Sequence, residues 1–432
     1  MIVRNPGTAS LAETVPVANE SPRLAACPGC ANNQVTSFFH LPQVPALCHV
    51  LAATRLDAQD VQRGDIDLHF CETCGLVFNA AFDPARVQYG SKLGYENSQH
   101  FSPRFRRYLD STAARLRERY DVPNKTFLEI GSGDGYFLDE LSRNGDVRAF
   151  AIEPTCESTE LNPEDSFRTV PGWDELPHQQ DFADLVVCRH VLEHVNNPRA
   201  FLARVQVALR AGGSVYFEVP RSEYLFERFS FWDVLYEHCL YFTAESLVAL
   251  FQRCGFRQLG LRSEFDGQML AIESCAGDDR ASPQVRWQAS DVRNSIGSFQ
   301  PEFERVCDRW NERLRRWQRE SRRVVLWGAG TKGVMFLNTV DEAAKIEFAV
   351  DLNPRKHGRY VSGSGQEIVG PDRLSDVRPD VVLVMNPMYE REIREPVSAD
   401  QPQCELCSVL DLGRGRDEYA SEATCQAHVT KP

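Results

Sequence analysis

An α/β architecture of three units is what this chain of 432 residues predicts: a small β-rich metal-binding module, then two Rossmann-like domains. Three observations carry that expectation. Two CxxC knuckles, Cys27-Pro-Gly-Cys30 and Cys71-Glu-Thr-Cys74, stand near the start of the chain. Glycine-rich turns follow strand-like runs twice, in FLEIGSGDG from Phe127 and in VVLWGAGTKG from Val324. Around both turns, apolar strand-like runs alternate with helical periods, the order of doubly wound sheets.

Length and composition agree with this division. At roughly 100–200 residues per domain, the chain needs several cores, and a 42% hydrophobic, 25% charged composition can build them. With 48 basic against 61 acidic residues, the net charge of −13 repels polyphosphate backbones, so no nucleic-acid partner is expected. No run reaches the ~20 apolar residues of a membrane span, and residues 1–26 lack the basic start and apolar run of a signal peptide. The expectation is a cytoplasmic protein that makes no membrane contact. Its 14 cysteines would then stay reduced, and any ordered cluster points to metal.

Residues 1–26, rich in Ala, Pro, Ser and Glu without period, are expected to form a disordered tail. Residues 27–90 form the first unit, with the short extended runs DLHF before Cys71 and LVFN after Cys74. Each knuckle turns two thiolates toward one point. Cys27, Cys30, Cys71 and Cys74 together satisfy tetrahedral zinc, and four protein ligands leave no open position, so the zinc is structural. The pair Cys404-Glu-Leu-Cys407 lies in the strand-like CELCSVLDL without a partner pair and reads as core.

Residues 91–280 carry a helix (FRRYLDSTAARLRERY) and the strands FLEI, FAIE, DLVVC and SVYFEVP. The turn Gly131-Ser132-Gly133-Asp134-Gly135 permits a tight bend and close approach of a ligand to the backbone. Three carboxylates choose the ligand. Glu129 before the turn suits an ammonium group, Glu153 at the end of FAIE suits ribose hydroxyls, and Asp134 near the helix start would repel a pyrophosphate. The pattern points to S-adenosylmethionine and hence to a class I methyltransferase domain. His190, at the end of the next strand, is expected to line the cofactor pocket, and His194 to pack within the helix that follows.

Residues 281–432 begin with a helix whose apolar residues Phe303, Val306, Trp310, Leu314 and Trp317 recur every three to four positions, a stripe fit to bridge two domains. Gly328, Gly330 and Gly333 then fit GxGxxG, and Asp351 stands where a dinucleotide-binding domain places its ribose acid. Taken alone, this signals NAD and makes an NAD(P)-dependent oxidoreductase the rival reading. Lys332 beside the turn suits a phosphate equally well.

The paired knuckles, the methyltransferase core, WDVLYEHCLYFT and VDLNPRKHGRYVSGSGQEIVGP together resemble the sugar C-methyltransferases that act on nucleotide-linked deoxysugars. The resemblance runs from Cys27 onward and implies a zinc-bearing N-terminal domain, a class I methyltransferase domain and a C-terminal Rossmann-like domain. It also implies a small-molecule substrate, a nucleotide sugar, held between the latter two. The implied chemistry is removal of a proton beside a keto group and methyl transfer to the enolate carbon, with no catalytic metal. Glu237 and His238 match the family's catalytic pair, with His238 as base, since an imidazole titrates near neutrality. Leu235 stands where the family carries tyrosine, and the adjacent Tyr236 is expected to substitute. Phe265-Asp266-Gly267-Gln268 replaces the family's His-Gly-Gly-Ser run. O- or N-methylation of another small metabolite is the alternative that shares the same core.

Overall fold

The computed structural model describes residues 24, 26–89, 94–120, 124–143, 147–156, 167–176, 180–277, 292–401 and 403–412. Nearly all of the predicted tail, 1–26, lies outside them. In the first unit, β1 (Val35–Pro45) is followed by the short helix α1 (Arg55–Gln59), and β1 pairs antiparallel with β2 (Arg63–Cys71). β2 in turn pairs with β3 (Val77–Asn79). The second knuckle is the turn between β2 and β3. Gly75 takes φ +72° there, and its N–H reaches back 2.9 Å to the Cys71 carbonyl. A side chain would strain that conformation, so glycine follows Cys74.

The central unit runs α2 (Pro103–Tyr120), β4 (Thr126–Ile130), α3 (Tyr136–Ser142), β5 (Arg148–Ile152), β6 (Arg168–Val170) and β7 (Ala183–Arg189). It continues through α4 (Pro198–Ala208), β8 (Leu209–Pro220), α5 (Ser222–Arg228), β9 (Leu240–Tyr241), α6 (Ala244–Arg253), β10 (Phe256–Glu264) and β11 (Met269–Ala276). Seven strands form one sheet in the order β10-β11-β8-β7-β4-β5-β6. All are parallel except β11, which runs antiparallel to both neighbours. Every residue of β4 is buried, as a strand covered on both faces requires. The class I methyltransferase fold is the result.

Two features depart from the sequence expectation. No helix follows β7 directly. Leu192–His194 is a single 3₁₀ turn, and α4 starts at Pro198 because the Asn197 side chain accepts the Ala200 N–H (3.2 Å) and proline suits the first helical position. Second, β9 leaves the central sheet. It pairs with β3, completing the order β1-β2-β3-β9 in the first unit.

The third unit opens with α7 (Val292–Arg319), whose predicted stripe of Phe303, Val306, Trp310, Leu314 and Trp317 is buried together with Phe299. The stripe serves three units rather than two. Phe299 packs edge-on against Phe39 of β1 (5.1 Å) and Phe231 of the central unit (4.9 Å), while Trp310 meets Phe336 (5.4 Å) and donates its Nε1–H to the Val409 carbonyl (3.2 Å). After it come β12 (Val324–Trp327), α8 (Thr331–Thr339), β13 (Phe348–Val350), β14 (Glu367–Val369), α9 (Leu374–Val377), β15 (Val381–Val384), α10 (Glu390–Asp400) and β16 (Glu405–Ser408). The five strands are parallel, in the order β14-β13-β12-β15-β16. Cys407 lies buried in β16, a core residue as its strand-like context suggests. Among the described residues, no helix is long and apolar enough to cross a membrane.

Candidate functional site

The four knuckle thiols converge. Sγ of Cys27 lies 3.6 Å from that of Cys74, Sγ of Cys30 lies 3.5 Å from that of Cys71, and all four lie within 4.8 Å of one another. Tetrahedral zinc with bonds of about 2.3 Å would separate its sulfurs by about 3.8 Å, so the spacing fits the ion. The Cys74 thiol hydrogen bonds to Cys27 and holds the Cys27 pKa below the usual thiol value, toward the ligating thiolate form.

At the first glycine turn, Gly131, Gly133 and Gly135 all sit at positive φ (75°, 56° and 81°). A β-carbon at Gly131 would lie 2.2 Å from Val191 and one at Gly135 2.3 Å from Phe167, whereas one at Gly133 would meet nothing within 4 Å. The middle of the turn is therefore an open cradle. Two buried atoms beside it, Glu129 Oε2 and Ser132 Oγ, have no hydrogen-bond partner. Burial pushes the Glu129 carboxyl up to about 8, against the pull of Arg189. An uncompensated buried carboxylate next to an open cradle suits a cationic ligand. Glu153 directly follows β5 and takes the Gly133 N–H on Oε2 (2.7 Å), with the Thr155 N–H (3.0 Å) and hydroxyl (2.7 Å) on Oε1. On the rim, Asp134 is held by Arg355 (3.0 Å) and Ser98 (3.1 Å).

A deep cleft opens beside this turn, walled by all three units: His49 and Tyr95, His190, His194 and His238, then Lys332 and Asn386. Of the predicted cofactor residues, His190 alone lines the cleft; Glu129, Gly131, Ser132, Gly133, Gly135 and Glu153 are not on its wall. His190 follows β7 with φ +54°, a left-handed conformation unusual for a non-glycine residue, and its Nε2 lies 3.1 Å from Glu218. The Gln268 and Asn386 amides exchange hydrogen bonds of 3.2 and 3.1 Å across the cleft, joining the central and C-terminal units.

His238 is presented to the cleft by the N-terminal sheet. The Asn79 N–H donates to the Cys239 carbonyl (2.9 Å), and β9 then pairs Leu240 and Tyr241 with Phe78 and Val77. Burial, reinforced by His194, His190, His49 and Lys332, holds the His238 pKa well below its ordinary value, so the ring is neutral at pH 7 with a lone pair to offer. Its ring centroid lies 4.7 Å from that of His194, at 86°. Glu237 borders the same cleft and is tied to the residues beside the first sheet. The Cys48 N–H (2.8 Å), Tyr95 hydroxyl (3.0 Å) and Tyr89 hydroxyl (3.2 Å) all donate to it, so this buried carboxylate ties the His238 segment to the N-terminal part of the chain.

Tyr236 requires correction as a catalytic candidate. Residues 236–237 form a turn, and the Tyr236 side chain leaves the cleft altogether. It is fully buried over Gly64, where a β-carbon would lie 2.2 Å from its ring, and its hydroxyl accepts the Asp83 N–H (2.8 Å). Conversely, His194 lines the cleft rather than packing inside a helix, with its Nδ1 2.8 Å from the Tyr89 hydroxyl. Burial lowers its pKa to about 4. The signal for it was positional: the first residues beyond the carboxyl end of a parallel strand border the ligand crevice.

The second glycine turn borders the same cleft. A β-carbon at Gly333 would lie 2.1 Å from the Gly328 carbonyl, so this glycine permits close packing of helix on strand. Asp351 is already engaged. Its Oδ2 accepts the Ala329 N–H (3.0 Å) and faces the Lys356 ammonium (3.3 Å), while Oδ1 accepts the Asn353 N–H (2.9 Å). Lys332 pairs with Asp233. A ribose would have to compete with an ammonium group for this carboxylate.

Two family models agree with the fold. Residues 101–259 match the family described as a methyltransferase domain, and residues 288–401 match the C-methyltransferase C-terminal domain. The C-methyltransferase NovU of Streptomyces niveus is 26% identical over 283 residues, 62% of this chain and 67% of NovU. A mitochondrial ubiquinone biosynthesis O-methyltransferase of Schizosaccharomyces pombe is 31% identical over 113 residues, 24% of this chain and 41% of that protein. Among solved structures, a Burkholderia thailandensis 1,6-didemethyltoxoflavin-N1-methyltransferase is 19% identical, covering 40% of this chain and 79% of its own, with a TM-score of 0.30.

Proposed function

We propose that this chain, an S-adenosylmethionine-dependent methyltransferase, delivers its methyl group to a carbon beside a keto group of a nucleotide-linked deoxysugar, with His238 as the base. The observation that carries the reading is His238 itself, a neutral imidazole lining a cleft between the methyltransferase sheet and a C-terminal Rossmann-like unit. The match of residues 288–401 to the C-terminal domain of C-methyltransferases supports carbon as the acceptor.

S-adenosylmethionine, when bound, supplies the electrophilic methyl group. Glu129 ionises and meets the ammonium end of the cofactor, Glu153 takes the ribose hydroxyls, and the backbone of Gly131, Ser132, Gly133 and Gly135 cradles it. His190 stands where the cofactor pocket joins the cleft. His238 accepts the carbon-bound proton on its free ring nitrogen. A base held so far below its usual pKa succeeds only where the enolate oxygen is stabilised, and Lys332 and the Asn386 amide border the same space. The start of α8 suits the diphosphate of the nucleotide. Cys27, Cys30, Cys71 and Cys74 would hold a zinc ion, in a cytoplasmic setting that keeps the thiols reduced, and the ion would brace the sheet whose edge strand β9 follows His238.

The test is exchange without methyl transfer. With S-adenosylhomocysteine bound, a deoxy-keto sugar nucleotide should exchange its acidic hydrogen with deuterated water. His238→Asn should lose on the order of 10²–10⁴-fold in exchange and in methylation, with cofactor affinity nearly unchanged. Near-normal turnover in that variant, or a product methylated on oxygen or nitrogen, rejects the mechanism.

A further inference from the structure

Glu193 lies on the 3₁₀ turn after β7 with 1% of its surface exposed, and neither carboxylate oxygen has a hydrogen-bond partner. The nearest cationic candidate, His190 Nδ1, is 3.8 Å away, beyond hydrogen-bond reach. Buried carboxylates are kept in proteins by donors or by metals, and among the described residues no side chain donates to Glu193. What it has instead is two imidazoles. One ligand atom each from Glu193, His194 and His238 lie within 4.8 Å of one another, and all three residues line the cleft.

The surroundings orient one of these rings. If the Tyr89 hydrogen stays on Glu237 Oε2 (3.2 Å), its oxygen is left to accept the Nδ1–H of His194 (2.8 Å). That tautomer leaves the lone pair of His194 on Nε2. An imidazole fixed by a hydrogen bond from its other nitrogen is the usual state of a metal-binding histidine.

We propose that Glu193, His194 and His238 form a second metal site, opening on the cleft, for a divalent transition cation of the zinc type. Two imidazoles and one carboxylate select such ions over magnesium or calcium. Three protein ligands leave a fourth position facing the cleft, whereas the cysteine quartet is closed. A cation here takes the lone pair with which His238 would accept a proton, so occupancy and carbon deprotonation exclude each other. Only this consequence rests on His238 as the base; the site does not.

The full chain, with zinc on its cysteines, is titrated with cobalt(II). The expected result is one further equivalent showing visible d–d bands without thiolate-to-cobalt charge transfer, with methylation falling in step. Glu193→Gln should abolish that equivalent while the cysteine-bound zinc and S-adenosylhomocysteine binding persist. Tyr89→Phe, which removes the acceptor of the His194 Nδ1–H, should weaken it about 10–100-fold. Cobalt binding unchanged in Glu193→Gln, or cobalt entering only with thiolate charge transfer, would overturn the site. The expected cobalt spectrum with methylation undiminished would keep the site and remove His238 as the base.

Discussion

The two glycine turns share a backbone plan and differ in charge. In both, a carboxylate directly after the second strand accepts an N–H from the turn, Glu153 from Gly133 and Asp351 from Ala329. At the first turn the donors to Glu153 are neutral, and the neighbouring Glu129 is buried with an unpartnered oxygen. At the second, Lys356 stands 3.3 Å from Asp351, and Lys332 borders the cleft at the start of α8. Arg355 holds Asp134 at the rim of the first turn, but among the described residues its inner carboxylates, Glu129 and Glu153, have no cation in contact, whereas Asp351 of the second already has one. Strand, turn and helix fix where a ligand sits; the compensation of the carboxylates decides its sign.

The largest expected effect separating the turns comes from their middle glycines. Gly133 holds φ +56° over open space, so Gly133→Val should fill the cradle and abolish S-adenosylmethionine binding, while the left-handed backbone costs the fold about 1–2 kcal/mol. Gly330 sits at φ −95°, and Gly330→Val should leave cofactor binding intact. Equal losses of cofactor binding in the two variants would erase the distinction.

Next in size is a pH dependence. With the Glu129 carboxyl pushed up to about 8, the free protein carries a proton there at neutral pH that a cationic ligand must displace. Affinity for S-adenosylmethionine should therefore rise with pH, by up to about tenfold per unit, and level off above about 8. Titration calorimetry in buffers of different ionisation enthalpy should show proton release at pH 7; a flat profile between about pH 6 and 8 would place the ammonium group elsewhere. The smallest effect is that of Glu153→Ala, which should cost about 1–3 kcal/mol of cofactor binding through lost hydrogen bonds to a charged group. Asp351→Ala should leave that affinity unchanged.

Local chemistry was legible in the sequence, and cross-unit chemistry was not. The knuckle spacing located the cysteine cluster, and FLEIGSGDG located β4, its turn and α3, because each rests on residues a few positions apart. The direction of Tyr236 was lost because residues 236–237 turn, and no period reveals which side chain follows the turn into the first unit. β9 was invisible as part of the N-terminal sheet, since it is two residues long and its partner, β3, lies more than 150 positions earlier. The three donors to Glu237 come from residues 48, 89 and 95, a distance no motif spans. LEHV reads as the start of the helix after β7; Asn197-Pro198 delays that helix and leaves His194 at the mouth of the sheet.

The assignment of a cationic ligand to the first turn alone is tested most directly by calorimetry on the full chain, titrated separately with S-adenosylmethionine and with NADH. Saturable binding of S-adenosylmethionine that disappears in Gly133→Val, with no heat from NADH, is the predicted result. Tight binding of NADH, or S-adenosylmethionine binding that survives Gly133→Val, would contradict it.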